Sequence, residues 1–195
     1  MHPLSSQSEC LLLDLPALQE LIIPARRFSH PVVTQSVLRT KSTLRSLRLT
    51  GQWSFSLDSL STSSLCPGWA RLTHVEMTVL DLSRLFGLLE LATNLSSLII
   101  GLYFEPSVWL QNAKQYTHTT LQSLSITNVT GDCAWLFPYI FKPISLPKLR
   151  LLEVCCGSTE WPHETFKAFL ARSNPPMERL IFYAESMTTC EQRAE

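Results

Sequence analysis

Charge is scarce in this sequence, and neither sign prevails. Charged residues make up 16% of the 195-residue chain, well below the roughly 25% that is usual in soluble domains. Sixteen basic and sixteen acidic side chains give a formal net charge of zero at pH 7. A surface that neutralises phosphates or anionic lipids needs an excess of lysine and arginine. We therefore expect no nucleic-acid partner and no polybasic attachment to a membrane.

Long apolar segments are missing too. The longest, residues 98–104, contains a glycine and is far shorter than the ~20 residues of a membrane-spanning helix. The first residues contain no basic cluster, and Asp14 interrupts the apolar stretch of residues 11–15, which argues against a secretory signal peptide. The sequence thus predicts no contact with a membrane and a location in the cytoplasm or nucleus.

The motifs of metal and covalent chemistry are also absent. The six cysteines include no CxxC pair, which favours free thiols in a reducing compartment over a disulfide or zinc framework. The five histidines form no HxxxH or HExxH pattern, and neither GxSxG nor a glycine-rich phosphate loop occurs. We expect no enzyme, no cofactor and no metal site; an enzyme would need a site assembled from distant residues.

Leucine, in contrast, is abundant and regularly spaced. It supplies 34 of the 195 residues, and a frame with apolar residues at its first, fourth and sixth positions occurs seven times. Successive copies begin 23 to 28 residues apart, within the ~20 to 29 residues of a leucine-rich repeat. The first positions of the seven copies are Leu18, Leu44, Leu72, Leu95, Leu121, Leu149 and Met177.

This spacing has a direct structural meaning. In an extended segment the fourth and sixth residues point to one face, and the third and fifth point to the other. A short strand cannot bury its apolar face alone, so neighbouring units must stack in parallel and share a core. We predict an α/β leucine-rich-repeat solenoid, with about seven parallel strands on the concave face and helices or turns on the convex face. Its fourth positions should form one buried row, each member almost inaccessible to solvent: Leu21, Leu47, Val75, Leu98, Leu124, Leu152 and Leu180.

Two alternatives predict different patterns. In a chain that is merely rich in leucine, the frame would not recur at nearly equal intervals. A doubly wound α/β domain also alternates strands and helices, but its strands are buried on both faces and almost continuously apolar. The third and fifth positions here include polar residues such as Glu20, Ser46 and Arg48, so one face of the sheet should be exposed to solvent.

Three connecting segments have helical signals. Residues 83–92 carry leucines at helical spacing, and residues 107–116 follow Pro106, a suitable first-turn proline. A third helix should begin after Pro162 and end before Asn174, which two prolines follow.

Several segments resemble the leucine-rich-repeat regions of fungal F-box proteins, particularly the mushroom-type families. The patterns LPxLxxLxL and FLxRSxxPLxxL of those proteins are similar to LPKLRLLEV (146–154), FLARS (169–173) and NPPMERL (174–180). Their LTHLxL and LLxxxPNLxxL unit is similar to LTHV (72–75), LFGLL (85–89) and TNL (93–95). The resemblance extends from about Leu15 to Phe182.

The resemblance implies a role in selecting a protein substrate. In that family an F-box docks onto the Skp adaptor subunit of a cullin-RING ubiquitin ligase, and the repeats bind the substrate. Here we expect the repeat array over residues 15–186, after a lead-in or part of a truncated repeat over 1–14 and before a polar tail over 187–195. The lead-in is too short for an F-box, so the Skp adaptor is an expected partner only if an F-box is encoded upstream. A stand-alone repeat scaffold without a ligase role is the alternative.

A protein partner is expected to bind the concave face, because its side chains are not needed in the core. Exposed apolar side chains there would anchor the partner, and charged ones would orient it. The candidate anchors are Ile99, Leu151, Ile181 and the nearby Tyr183. The candidate orienting residues are Arg48, Glu76, Glu153 and Arg179, with His74 beside Glu76. For Ile99 and Ile181 the alternative is that they satisfy strand propensity or lie under a loop.

Overall fold

The computed structural model describes residues 17–24, 43–50, 68–79, 82–102, 115–128, 136–156 and 162–184. These residues form nine strands: β1 (Glu20–Pro24), β2 (Ser46–Thr50), β3 (His74–Val79), β4 (Ser97–Leu102), β5 (Tyr116–Thr117), β6 (Ser123–Asn128), β7 (Ile144–Ser145), β8 (Leu151–Cys156) and β9 (Arg179–Ala184). They also form a 3-10 helix (Trp69–Arg71) and the helices α1 (Leu82–Leu91), α2 (Phe137–Phe141) and α3 (His163–Ser173).

Seven of the strands form one parallel sheet whose spatial order follows the chain. The order is β1, β2, β3, β4, β6, β8, β9, and every neighbouring pair is parallel. The predictions of an α/β fold and of about seven parallel strands are confirmed. Strands β5 and β7 pair in a separate two-stranded parallel sheet that was not predicted.

The pairing register follows the sequence frame at every step. Leu47 lies opposite Leu21 on one side and Val75 on the other. The same row continues through Leu98, Leu124, Leu152 and Leu180. A slip of one residue would have turned a whole strand over, because side chains alternate between faces. The predicted row of fourth positions therefore exists as predicted.

Burial along this row differs between its centre and its ends. The five central side chains are at most 3% exposed, whereas Leu180 is 43% exposed and Leu21 is half-buried. The expectation that all seven are inaccessible is thus wrong for Leu21 and Leu180. The reason is that β1 and β9 are edge strands, so no described strand covers these side chains from beyond.

A backbone hydrogen-bond motif repeats where each unit enters the sheet. The carbonyl at the second frame position accepts two N–H groups, from the second and third positions of the next unit. The Arg45 carbonyl, for example, accepts from the Thr73 and His74 N–H groups at 2.8 and 3.0 Å. The same motif occurs at the carbonyls of Gln19, Thr73, Ser96, Gln122 and Arg150. At each step it gives an acceptor to the two N–H groups at the start of the next unit's strand. It thereby holds successive units in the same register.

The helices pack on the apolar side of the sheet. Helix α1 buries Leu82, Leu85, Leu88 and Leu89, which join the strand residues in one hydrophobic cluster. This helix confirms the prediction over residues 83–92, since the leucine spacing gives it one continuous apolar stripe.

Helix α3 also forms where it was predicted. It ends at Asn174, whose φ of 41° is left-handed and whose N–H donates to the Leu170 carbonyl, as in a common C-terminal cap. Its buried Phe166 and Phe169 contact Phe141 of α2, Phe166 edge-to-face and Phe169 at a tilt, with ring centroids 5.6 and 5.0 Å away. The aromatic contacts join two consecutive units through their helices.

The helix predicted over residues 107–116 is wrong at its end. Tyr116 lies in β5, where it pairs with Ile144, and its hydroxyl donates to the Leu89 carbonyl. The strand pairing needs an extended backbone at this position. Residues 107–114 lie outside the described residues, and α2 was not predicted.

Side chains of one unit cap the helix end of the unit before it. Carbonyls in the last turn of a helix lack an intrahelical donor, and the following unit supplies one. The donor and acceptor pairs are Asn94 with Ala70, Tyr116 with Leu89, His118 with Ala92, and Arg172 with Phe141. Arg172 also donates to the Ile144 carbonyl in β7. These bonds connect the units on the helical side as the strand pairs do in the sheet.

His118 makes one of these contacts between units and is neutral there. It is 2% exposed; its Nε2 donates to the Ala92 carbonyl at 3.1 Å, and its Nδ1 accepts the Leu121 N–H at 3.2 Å. Burial lowers the pKa of His118 below its ordinary value, and the hydrogen bond to Ala92 offsets that effect only in part.

Leu98 and Ile99 are consecutive residues on opposite faces of the sheet, so substituting each in turn tests which face is buried. Leu98 is 0% exposed and Ile99 is 40% exposed. We expect Leu98→Ala to lower the free energy of unfolding by about 2 to 5 kcal/mol, because it leaves a cavity in the core. Ile99→Ala should lower it by less than about 1 kcal/mol. Urea unfolding measures both, and equal losses would contradict the assignment of the faces.

The stability of the protein should fall below neutral pH because of His118. An unfolded histidine binds a proton with a pKa near ~6.5, and folded His118 has a lower pKa. As the pH falls below ~6.5, the unfolded state takes up the proton first, so the free energy of unfolding decreases until the folded pKa is reached. His118→Gln should show a smaller decrease in urea unfolding between about pH 7.5 and 5.5. His163→Gln, at an exposed position of α3, is the matched control; identical decreases in His118→Gln and wild type would contradict this role.

Candidate protein-interaction face

The side of the sheet opposite the helices, the outer face, is formed by the third, fifth and seventh frame positions. Its third-position row is Glu20, Ser46, His74, Ser97, Ser123, Leu151 and Arg179. Its fifth-position row is Ile22, Arg48, Glu76, Ile99, Ser125, Glu153 and Ile181. Every residue in these rows except Ser125 is exposed or half-buried. The outer face is therefore accessible to a partner along its whole length.

The structure brings the nine predicted side chains together on this face in two groups. A first group on β2, β3 and β4 contains Arg48, His74, Glu76 and Ile99. A second group on β8 and β9 contains Leu151, Glu153, Arg179, Ile181 and Tyr183. Strand β6 separates them and contributes only the small side chains Ser123 and Ser125 to the two rows. A partner that contacts both groups must be an extended surface or segment.

In the first group Arg48 lies between two carboxylates. Its Nε is 3.4 Å from Glu76 Oε2 and 3.9 Å from Glu20 Oε1, and the Ser46 hydroxyl donates to Glu20 Oε1 at 3.2 Å. Arg45 lines the same surface hollow as these side chains, so two guanidinium groups balance the two carboxylates. This end of the outer face therefore presents charges of both signs, which can orient a polar partner.

An open hollow of about 430 Å³ lies over the first group. Its lining includes Glu20, Arg48, His74, Glu76 and Ile99, none of which is fully buried. The Nδ1 of His74 lies 2.9 Å from the Thr73 hydroxyl oxygen. A hollow with a mixed polar and apolar lining, open on one side, suits a protruding side chain of a protein partner.

The second group is more apolar. Tyr183 is 53% exposed, and Leu151 and Ile181 are half-buried. Within the ranges that the structure describes, neither Glu153 nor Arg179 has an ion-pair partner. Exposed aromatic and aliphatic side chains beside unpaired charges form the kind of surface that anchors and orients a protein.

Two outcomes refine the sequence interpretation of this face. Ile99 is 40% exposed, so it is not fully covered, and the alternative that it only satisfies strand propensity stays open. Ile181 is half-buried, and both alternatives stay open for it. Two further side chains belong to the face although they were not named as site residues: Ile22, 52% exposed, and Glu20, which contacts Arg48. Their frame positions carried the signal that would have found them.

Neither another kind of site among the described residues nor a comparison with other proteins indicates a function. Among the described residues, no group of three or more histidine, cysteine, aspartate or glutamate side chains is arranged to hold a metal ion. None of the described helices has the length and apolar character needed to cross a bilayer. Comparisons of the chain with protein-family models, curated proteins and solved structures find no match. The family resemblance therefore stays a prediction, and a function has to be inferred from the outer face.

The ion pairs of Arg48 should contribute little to stability. The side chains of Arg48 and Glu76 are 50% and 32% exposed, and such pairs typically contribute ~0 to 1 kcal/mol because water screens them. We expect Arg48→Met to change the free energy of unfolding by less than about 1 kcal/mol in urea titrations at low and at high salt. A loss of several kcal/mol would mean that Arg48 is a structural residue.

Proposed function

We propose that this chain is a leucine-rich-repeat solenoid that binds a protein on its outer face. We propose further that it serves as the substrate-binding repeat region of an F-box-like ubiquitin ligase adaptor. In this proposal the chain is not an enzyme, uses no cofactor, and acts in the cytoplasm or nucleus.

The proposal of a solenoid rests on one backbone contact that recurs between successive units. At six successive steps the strand register advances by one frame, and the second-position carbonyl accepts the same two N–H groups. A stack in which each unit contacts only its neighbours is the defining property of a repeat protein. This hydrogen-bond motif recurs with the period of the sequence frame and links all seven copies of it.

The one-sided burial of the sheet supports recognition of a protein. Helices cover the apolar side, while the outer face carries alternating charged, hydroxyl and apolar side chains along seven strands. Its hollow is open and its polar groups are spread over several strands, unlike the enclosed pocket of a small ligand. The zero net charge of the chain disfavours a nucleic-acid partner.

The positions of the resembling segments agree with the repeat frame on which the F-box proposal rests. The segment 146–154 leads into β8, 169–173 forms the last turn of α3, and 174–180 leads into β9. The leucines that the patterns share are mostly core residues, and Leu72, Leu146, Leu149 and Leu152 are each 0% exposed. The motif matches therefore fall at positions with a structural reason to be apolar.

A partner captured by proximity labelling in cells provides the test of the outer face. Arg48→Glu combined with Ile99→Asp should weaken binding of the purified partner at least about tenfold, and should lower Tm by only a few degrees, since both side chains are exposed. Lys142→Glu combined with Lys167→Glu, at exposed positions near the helices, is the matched control and should bind normally. Binding that survives the first pair and is lost with the second would contradict the proposal.

Co-purification with a Skp adaptor separates the ligase role from a stand-alone scaffold. The ligase proposal predicts that the protein expressed from its complete gene, with an in-frame F-box upstream of Met1, recovers the Skp adaptor together with the partner. Recovery of the partner without the adaptor would contradict the ligase role and favour the scaffold.

A further inference from the structure

Within the described residues, the seven-stranded sheet has two unpaired edges with different side chains. Among the described strands, β1 pairs only with β2 and β9 pairs only with β8. Apolar side chains at these edges remain in solvent: Leu180 is 43% exposed and Ile22 is 52% exposed. Edge strands with unpaired backbone groups are ready to pair with another chain.

The two edges are complementary to each other in the register that the sheet already uses. Each internal step places a third position beside the next third position, so the step from β9 to a further β1 would place Arg179 beside Glu20. The pairs that this step creates are Arg179 with Glu20, Leu180 with Leu21, Ile181 with Ile22, and Phe182 with Ile23. Opposite charges meet on the outer face, and apolar side chains meet in the other rows, which is favourable for cross-strand pairs.

The backbone groups at the two edges match as well. The Glu178 carbonyl has the frame position of the Arg150 carbonyl, which accepts the Glu178 and Arg179 N–H groups at 2.8 and 2.9 Å. The Gln19 and Glu20 N–H groups have the frame positions of those donors. The internal motif can therefore recur across the two edges. Only Pro24, which has no N–H, would end the pairing early.

Pairing of like edges does not offer this match. Strand β9 (RLIFYA) has no acidic residue for the exposed Arg179 of a second β9, and β1 (ELIIP) has no basic residue for a second Glu20. Within the bounds of the two strands, charge complementarity thus favours the unlike pairing of β9 with β1.

We propose that the chain self-associates head to tail, with β9 of one copy pairing in parallel with β1 of the next. The sheet then continues across the junction in its own register, and Leu180 gains the neighbour on its open side that the central leucines have. Such a heterologous contact leaves one edge free at each end, so it extends to a chain of copies unless its rotation closes a ring. The association uses the sheet edges and does not depend on a partner at the outer face.

Sedimentation velocity of the full-length chain over a range of concentrations tests this contact. Wild type should associate with rising concentration. Arg179→Glu and Glu20→Arg should each raise the dissociation constant about tenfold or more, because each puts like charges together. The double variant Glu20→Arg/Arg179→Glu should associate as wild type does, since it exchanges the two charges. Lys142→Glu, at an exposed position between α2 and β7, is the matched control.

Hydrogen exchange of the wild type at low and high concentration shows which edges take part. Head-to-tail association should slow exchange in β1 and in β9 together. A chain that stays monomeric at every concentration would overturn the proposal. So would association that neither single variant weakens, failure of the double variant to restore it, or protection of one edge alone.

Discussion

A strand of five or six residues can bury its apolar face only between neighbours, and the rest of this structure depends on that constraint. Leu98 lies between Val75 and Leu124 and is 0% exposed, whereas Leu180 has a neighbour from only one described strand and is 43% exposed. The two side chains are chemically identical, so the difference comes from stacking. Parallel register, the repeated entry motif and the helix caps all keep consecutive units close enough to share this core.

The same constraint leaves the outer face free to vary. The fourth positions are occupied by leucine or valine at all seven units, but the third positions change from glutamate through serine and histidine to leucine and arginine. Side chains that are not needed for packing can differ from unit to unit without unfolding the stack. This freedom is what makes a mixed surface such as the Arg48 group and the Tyr183 end available for recognition of a protein.

Most of the sheet could be predicted from the sequence, because side-chain alternation and the repeat frame are local properties. The row through Leu98, the opposite orientation of Ile99 and helix α1 follow from spacing alone. The short pair β5 and β7 could not be predicted, since two-residue strands have no periodicity. The exposure of Leu180 depends on which strands flank β9, and the position of Arg48 between two carboxylates depends on the distance between strands. Neither is encoded in the spacing of one segment.

Residue-resolved hydrogen exchange of the monomeric protein tests the stacking account most directly. If units are stable only through their neighbours, the third-position amides of His74, Ser97 and Ser123, which donate to the preceding unit, should exchange most slowly. The Glu20 amide, at an edge with no described acceptor, should exchange much faster. Protection that is uniform along the sheet, or greatest in β1, would contradict the account.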